Sequence, residues 1–279
     1  MALPDGIDEY TLLCERCGYV LEGLDTAGNC PECGKPISES LPERRVGTAW
    51  QRNPSFRALL VTLLRSWLRP RSTLDTMRTS SRPGLWIGFR GIGLASLIFS
   101  LSVAAWFSTG ISFEDHIGST NQIIVRIVSA VVGFAVPFAI ITVILLLLTA
   151  TEAAGLRFIA RRRGFRVDKK LSREICGHGT IGWVVAAIAP AGEFIYIATR
   201  FAINDPPEFL SWVEIAIVFI GVISGFMIFE LFAYLGLRRC KFANRIKPSE
   251  DQDNEPLAQA REHDNHDPSL ARGARDDTA

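Results

Sequence analysis

Four apolar blocks constrain this chain more than any other feature, running over about 85–107, 123–150, 179–201 and 212–237. A helix needs about 20 predominantly apolar residues to cross a bilayer. In hydrocarbon an unpaired backbone group is so costly that only helices or closed barrels span it. The second block holds the uncharged run from Ile140 to Leu148 and is expected to be broken by Pro137, while Pro190 lies inside the third. Arg90, near the start of the first, can snorkel to the surface. The sequence therefore predicts an all-α polytopic bundle over 85–247. Residues 1–10 carry Asp5, Asp8 and Glu9 and no apolar core, so they do not read as a secretory signal and insertion falls to the internal segments.

Ahead of the bundle stand CERCG (14–18) and CPECG (30–34), two Cys-x-x-Cys pairs separated by 12 residues. Two thiolates three positions apart converge on one ion when the backbone turns tightly between them. Gly18 and Gly34 permit the positive φ that such a turn needs just after it. Four sulfurs close a tetrahedral site with no open position, the structural zinc arrangement. Cys14, Cys17, Cys30 and Cys33 are thus the expected ligands of one structural Zn2+. A domain over 1–40 is too small to fold on its own apolar core, so the metal must supply most of its folding energy. A β-hairpin fits the gap, and the expected fold is a small zinc ribbon (β). Arg16 and Lys35 would partly offset the −2 charge of a zinc–tetrathiolate centre. With Glu15, Glu22, Asp25 and Glu32 around them they make a poor phosphate surface, which disfavours nucleic acid as a partner.

Residues 41–84 read as a basic linker containing an amphipathic helix over 55–69. At 100° per residue Phe56, Leu59, Leu60, Leu63, Leu64 and Trp67 share one face, and Ala58, Thr62, Arg65, Ser66 and Arg69 lie opposite, with Arg57 as the misfit. Too short to span and followed by Pro70, it is expected to lie among lipid headgroups. Nine Arg between 43 and 82, eight Lys or Arg in the loop expected over 151–178 and five after the fourth span account for 22 of the 30 basic residues. The loops 108–122 and 202–211 hold none. The positive-inside rule then places both termini in the cytoplasm and the chain in the cytoplasmic (inner) membrane, a reducing side that suits a thiolate site. Residues 248–279, with nine acidic and three basic side chains, read as a disordered acidic tail.

Within the spans, Glu193, Arg200 and Glu230 are the polar candidates, since charges there are functional by default. Arg200 lies seven residues after Glu193 on the same helix face. Gly221 and Gly225 form a GxxxG motif; Gly91 with Ala95, Ser129 with Gly133, and Gly182 with Ala186 repeat the small-residue spacing that lets spans pack closely. There is no P-loop, dinucleotide fingerprint, HExxH or Gly-x-Ser-x-Gly. No enzyme is expected.

The string CERCGYVLEGL…GNCPECGKPI resembles the N-terminal zinc ribbon of planctomycete membrane proteins, and by position that resemblance also implies Cys14, Cys17, Cys30 and Cys33 as zinc ligands. The membrane part resembles bacterial Yip-type proteins, whose members usually carry one span more than is read here. The residues point to a non-enzymatic membrane protein whose ribbon recruits a protein partner. The rival reading is a small transporter or channel using Glu193 and Glu230, which four spans support if chains form a homo-oligomer or the solute is small.

Overall fold

Helices long enough to leave the bilayer at one end dominate the computed structural model, which describes residue 8 and residues 10–79, 82–110, 119–202 and 212–246. The predicted tail and most of both short loops lie outside the described residues. After short 3-10 turns at Ile37–Ser40 and Pro42–Arg44 come α1 (Ala49–Arg52), α2 (Phe56–Leu68), α3 (Pro70–Thr76), α4 (Arg82–Gly110), α5 (Ser119–Arg163), α6 (Lys169–Gly179), α7 (Ile181–Ala202) and α8 (Trp212–Arg239). Four stretches are long and apolar enough to cross a membrane: Trp86–Ala105, Ile127–Arg163, Lys169–Ile197 and Trp212–Arg239. Each overlaps one of the four predicted blocks. α4 packs on α5, α6 and α7, and α7 packs on α8. Outward faces such as Val136, Ile140 and Leu147 of α5, or Phe219, Met227 and Leu231 of α8, are exposed, as lipid-facing surfaces must be.

Two expectations for the bundle need correction. α5 runs through Pro137 without a break. One lost backbone bond is tolerable there, because no water competes for the rest of the ladder. The stretch 151–178 is no loop. α5 continues to Arg163, burying Ala153, Leu156 and Ala160 at helical spacing, and α6 buries Leu171, Ile175 and Cys176. Of the basic residues in this stretch, Arg161, Arg162, Arg163, Lys169, Lys170 and Arg173 are exposed, while Arg157 and Arg166 are half-buried.

The α7–α8 contact shows why the small residues matter. A Cβ on Gly225 would lie 2.4 Å from both the Gly182 carbonyl oxygen and the Ala186 nitrogen, and one on Gly221 would lie 2.1 Å from the Ala189 methyl. One turn along, the Trp183 ring stacks on Phe229 at 4.4 Å between centroids, and its indole N–H reaches Thr149 of α5 at 3.0 Å. Nearer the N-terminal module, Gly88 of α4 meets Gly177 of α6 backbone to backbone.

Residues 41–84 are not a tether. Thr48 and Gln51 form a capping box, and Gln51 also brackets the backbone of Arg78 through its carbonyl (2.9 Å) and amide (3.0 Å). Thr48 shares a hydrogen bond with the buried His178 of α6 at 3.3 Å. α2 forms as expected, but its apolar face divides. Leu59 and Leu63 turn inward with Thr62 and Ser66, while Phe56, Leu60, Leu64 and Trp67 stay exposed. The two hydroxyls enter the core because each has a backbone partner: Thr62 accepts from Trp50 N–H (3.0 Å) and Ser66 donates to the Thr62 carbonyl (2.9 Å).

Gly225→Val is expected to push α8 off α7 and destabilise the bundle by about 3 kcal/mol or more, at the upper end for overpacking. Gly192→Ala, where nothing lies within 4 Å of the added carbon, should be near neutral. Thermal unfolding in detergent, followed by the helical circular-dichroism signal, separates the two.

Candidate metal centre

The two Cys-x-x-Cys segments fold into copies of one knuckle, related by an offset of 16 residues. Cys14 N–H bonds to the Tyr19 carbonyl (2.8 Å) and Gly18 N–H to the Cys14 carbonyl (2.8 Å); Cys30 with Lys35 (2.8 Å) and Gly34 with Cys30 (2.9 Å) repeat the pattern. Leu21 N–H to Leu12 and Ile37 N–H to Gly28 repeat it again, one residue beyond the paired bridges Leu13–Val20 and Asn29–Pro36. Gly18 and Gly34 take φ of 86° and 70°, which only glycine adopts freely. Each knuckle rests on these single bridges, and among the described residues no β-strand forms. The expected β ribbon is therefore not shown: each knuckle pairs its chain through one isolated antiparallel bridge.

All four sulfurs lie within 4.8 Å of one another, with Cys14–Cys33 at 3.5 Å and Cys17–Cys30 at 3.6 Å. Those separations are far beyond a disulfide bond. They match the edge of a tetrathiolate tetrahedron, about 3.8 Å for metal–sulfur bonds of about 2.3 Å. Leu21 and Ile37, one from each knuckle, are buried against the sulfurs. The four cysteines can therefore hold a metal ion. Burial opposes ionisation of Cys14, but N–H groups of Cys17 and Arg16 and the neighbouring thiols outweigh it and hold the thiol at about 7. Cys17, pushed up by burial and by its hydrogen bond to Cys30, stands at about 12. An entering cation displaces thiol protons here.

The module is bonded to the bundle at four places. Asn244, 2% exposed and 231 residues from Leu13 in sequence, accepts from Leu13 N–H (2.9 Å) and donates to the carbonyls of Leu13 (2.7 Å) and Ser40 (2.6 Å). Arg45, 4% exposed, pairs with Glu15 at 2.9 Å and donates to the Leu74 and Met77 carbonyls at the end of α3. Arg166 donates to the carbonyls of Thr11 (2.8 Å) and Asp8. The Phe242 ring lies so close to Gly18 that a Cβ there would meet it at 2.8 Å. In turn, residues 240–245 are held by Arg166 N–H to Lys241 (2.6 Å), Arg245 to Asp168 (2.8 Å) and Thr79 to the Asn244 carbonyl (3.0 Å).

The intramembrane candidates do not converge. Ala189 of α7 faces Gly221 of α8, so Glu193 is level with about residue 217 and Glu230 lies about 20 Å further along α8. Glu193 keeps one buried carboxyl oxygen without a hydrogen bond, and its charged neighbour is Glu214. Glu230 has Glu152 of α5 as its charged neighbour. Arg200 donates to the Tyr196 hydroxyl (2.9 Å) and lies over its ring. Sequence reasoning missed Arg45, Asn244, Phe242 and Glu152. A signal existed for the knuckles, whose 16-residue repeat is visible in the cysteines and glycines. None existed for Asn244, whose partners are remote in the chain. Compared with protein-family models, with curated proteins and with solved structures, the chain matches none.

Purified protein is expected to carry one metal ion per chain by inductively coupled plasma mass spectrometry, and Cys17→Ser to lose it. Because ligands must shed protons, metal affinity should fall as pH drops through about 7, where Cys14 takes up its proton. Asn244→Ala should leave the metal in place but free the module. Leaving the Leu13 and Ser40 groups unpaired costs about 2–4 kcal/mol, read as faster hydrogen exchange at the Leu13 amide.

Proposed function

We propose that this chain is a non-enzymatic, multi-pass protein of the cytoplasmic (inner) membrane. Its zinc-bound N-terminal module, fixed on the cytoplasmic end of the bundle, docks a protein partner. Zinc is favoured by four thiolate ligands with no open coordination position. The cytoplasmic side is favoured by the basic residues gathered at the module end, with Arg161, Arg162 and Arg163 closing α5 and Arg238 and Arg239 closing α8.

The observation that carries the docking role is the contrast between the two sides of the module. Leu13, Leu21 and Ile37 are buried, whereas Tyr19, Val20 and Leu24 remain 37–40% exposed on a module that cannot swing away to cover them. A rigid aromatic and two aliphatics on an otherwise polar surface are what an interface core uses. A transporter built on Glu193 and Glu230 draws support from the unpartnered carboxyl oxygen of Glu193. Its two carboxylates stand about 20 Å apart along the bundle, so they would have to act as separate stations.

Co-purification from native membranes tests the docking reading. Tyr19→Glu with Leu24→Glu is expected to reduce recovery of specific partners at least about tenfold, the cost of losing hot-spot contacts, with metal content and membrane insertion unchanged. Identical partner lists for this variant and wild type would overturn it. In that event, loss of proton or ion flux in proteoliposomes on Glu193→Gln with Glu230→Gln would favour the transporter.

A further inference from the structure

Between the module and the ends of α3 and α8 lies a groove of about 600 Å³ with an uneven charge balance. Its walls carry eight Lys or Arg side chains and three carboxylates, a surplus of five. Every carboxylate is already engaged: Glu15 with Arg45 (2.9 Å), Glu39 with Arg44 (3.5 Å) and Asp75 with Arg239 (2.9 Å). The surplus is therefore assignable to Arg16, Lys35, Arg71, Arg238 and Lys241. The Arg16 and Arg71 side chains are exposed, and among the described residues their guanidinium groups make no hydrogen bond or ion pair. Lys35 donates only to the Glu39 carbonyl (3.3 Å). Arg238 and Lys241 lean on neutral aromatic groups, Tyr234 for the first and Phe165 and Phe242 for the second. A −2 charge on a metal-loaded cysteine cluster would still leave the groove at +3.

Like charges do not converge in a fold without a counter-charge. Here five converge from separate elements: two from the knuckles, one from α3, and two from α8 and the segment after it. The position of the groove names the counter-charge. α8 is 28 residues long, about 42 Å, against a hydrocarbon core of about 30 Å. Its final turn, with Leu235 at the groove and Arg238 beside it, thus reaches the headgroup layer. Arginine forks match phosphate oxygens in pairs, and polybasic surfaces beside a span attract anionic lipid.

We propose that this groove binds the phosphate of an anionic phospholipid headgroup, which bridges the module and the bundle. Arg16 and Lys35 hold it from the module side, and Arg71, Arg238 and Lys241 from the membrane side. This inference does not depend on whether Tyr19, Val20 and Leu24 receive a partner.

The test uses the full chain, purified in detergent and delipidated. It is titrated with dioctanoyl phosphatidylglycerol or dioctanoyl phosphatidylcholine and read by native mass spectrometry. Wild type is expected to prefer the anionic lipid at least about tenfold, and Arg16→Gln with Arg71→Gln and Arg238→Gln to lose at least that factor. Arg161→Gln with Arg162→Gln and Arg163→Gln removes the same charge elsewhere and is expected to change binding less than about twofold. Should the groove triple variant lose its fold, Arg71→Gln alone carries the test, with an expected loss of about fivefold. Equal losses in both triple variants would mean a diffuse charge effect and overturn the site. Full displacement of the lipid by millimolar inorganic phosphate would assign the groove to a free anion and overturn the headgroup. No preference between the two lipids would overturn both.

Discussion

In hydrocarbon no hydrophobic force draws one helix to another, so this bundle depends on how closely its backbones can approach. Gly182, Ala186, Gly221 and Gly225 remove side chains from the α7–α8 seam until a carbonyl and an amide of one helix lie where a Cβ of the other would stand. Gly88 and Gly177 do the same for α4 and α6. Once these contacts are made, the larger groups have fixed places. Trp183 can stack on Phe229 and reach Thr149 only because α7 and α8 are already in register. The outer helix α5 contributes less to this core and more to the lipid face, as its exposed valines and leucines indicate.

The module end follows a different rule, because water is available there and the contacts are polar. Arg45 is buried, which would be costly alone, but a carboxylate and two carbonyls surround it. Asn244 uses both ends of its amide on backbone groups of the first 40 residues. Such groups cannot be exchanged for similar ones without leaving partners unpaired, which gives the junction one geometry. Cys176 and Cys240 are fully buried; Cys176 packs as a small apolar residue, while the Cys240 thiol donates to the Leu74 carbonyl (3.9 Å) beside Arg45.

Features set by local chemistry were legible in the sequence. The four apolar helices follow from run length, the cysteine cluster from spacing, and the close α8 contact from Gly221 and Gly225. Features that depend on remote partners were not legible. Nine arginines between 43 and 82 look alike in sequence, yet among those whose side chains are described Arg45 alone is drawn inward, because Glu15 and the end of α3 face it. The basic stretch after Ala150 looked like a loop because charge was weighed above periodicity. Ala153, Leu156 and Ala160 already carried the helical spacing. Pro137 looked like a break because the expectation came from helices in water. The polar face assigned to α2 failed at Thr62 and Ser66, where a hydroxyl with a local acceptor is no obstacle to burial.

These two regimes meet at the metal centre, and the direction of dependence can be argued. Apart from its sulfurs, the described residues of the module bury only Leu13, Leu21 and Ile37 among their large apolar side chains, too few to hold two turns in place. A bound ion, which the four cysteines can hold, would supply that order. If the cluster opens, Leu13 moves away from Asn244, and Glu15, which stands next to Cys14, moves away from Arg45. Arg45 is then left in a buried site without its carboxylate, with the Leu74 and Met77 carbonyls and the Cys240 thiol around it, and Asn244 loses its partners in the module. The free energy of binding an ion at the four cysteines would thus be felt at the ends of α3 and α8, through a junction of two buried polar side chains.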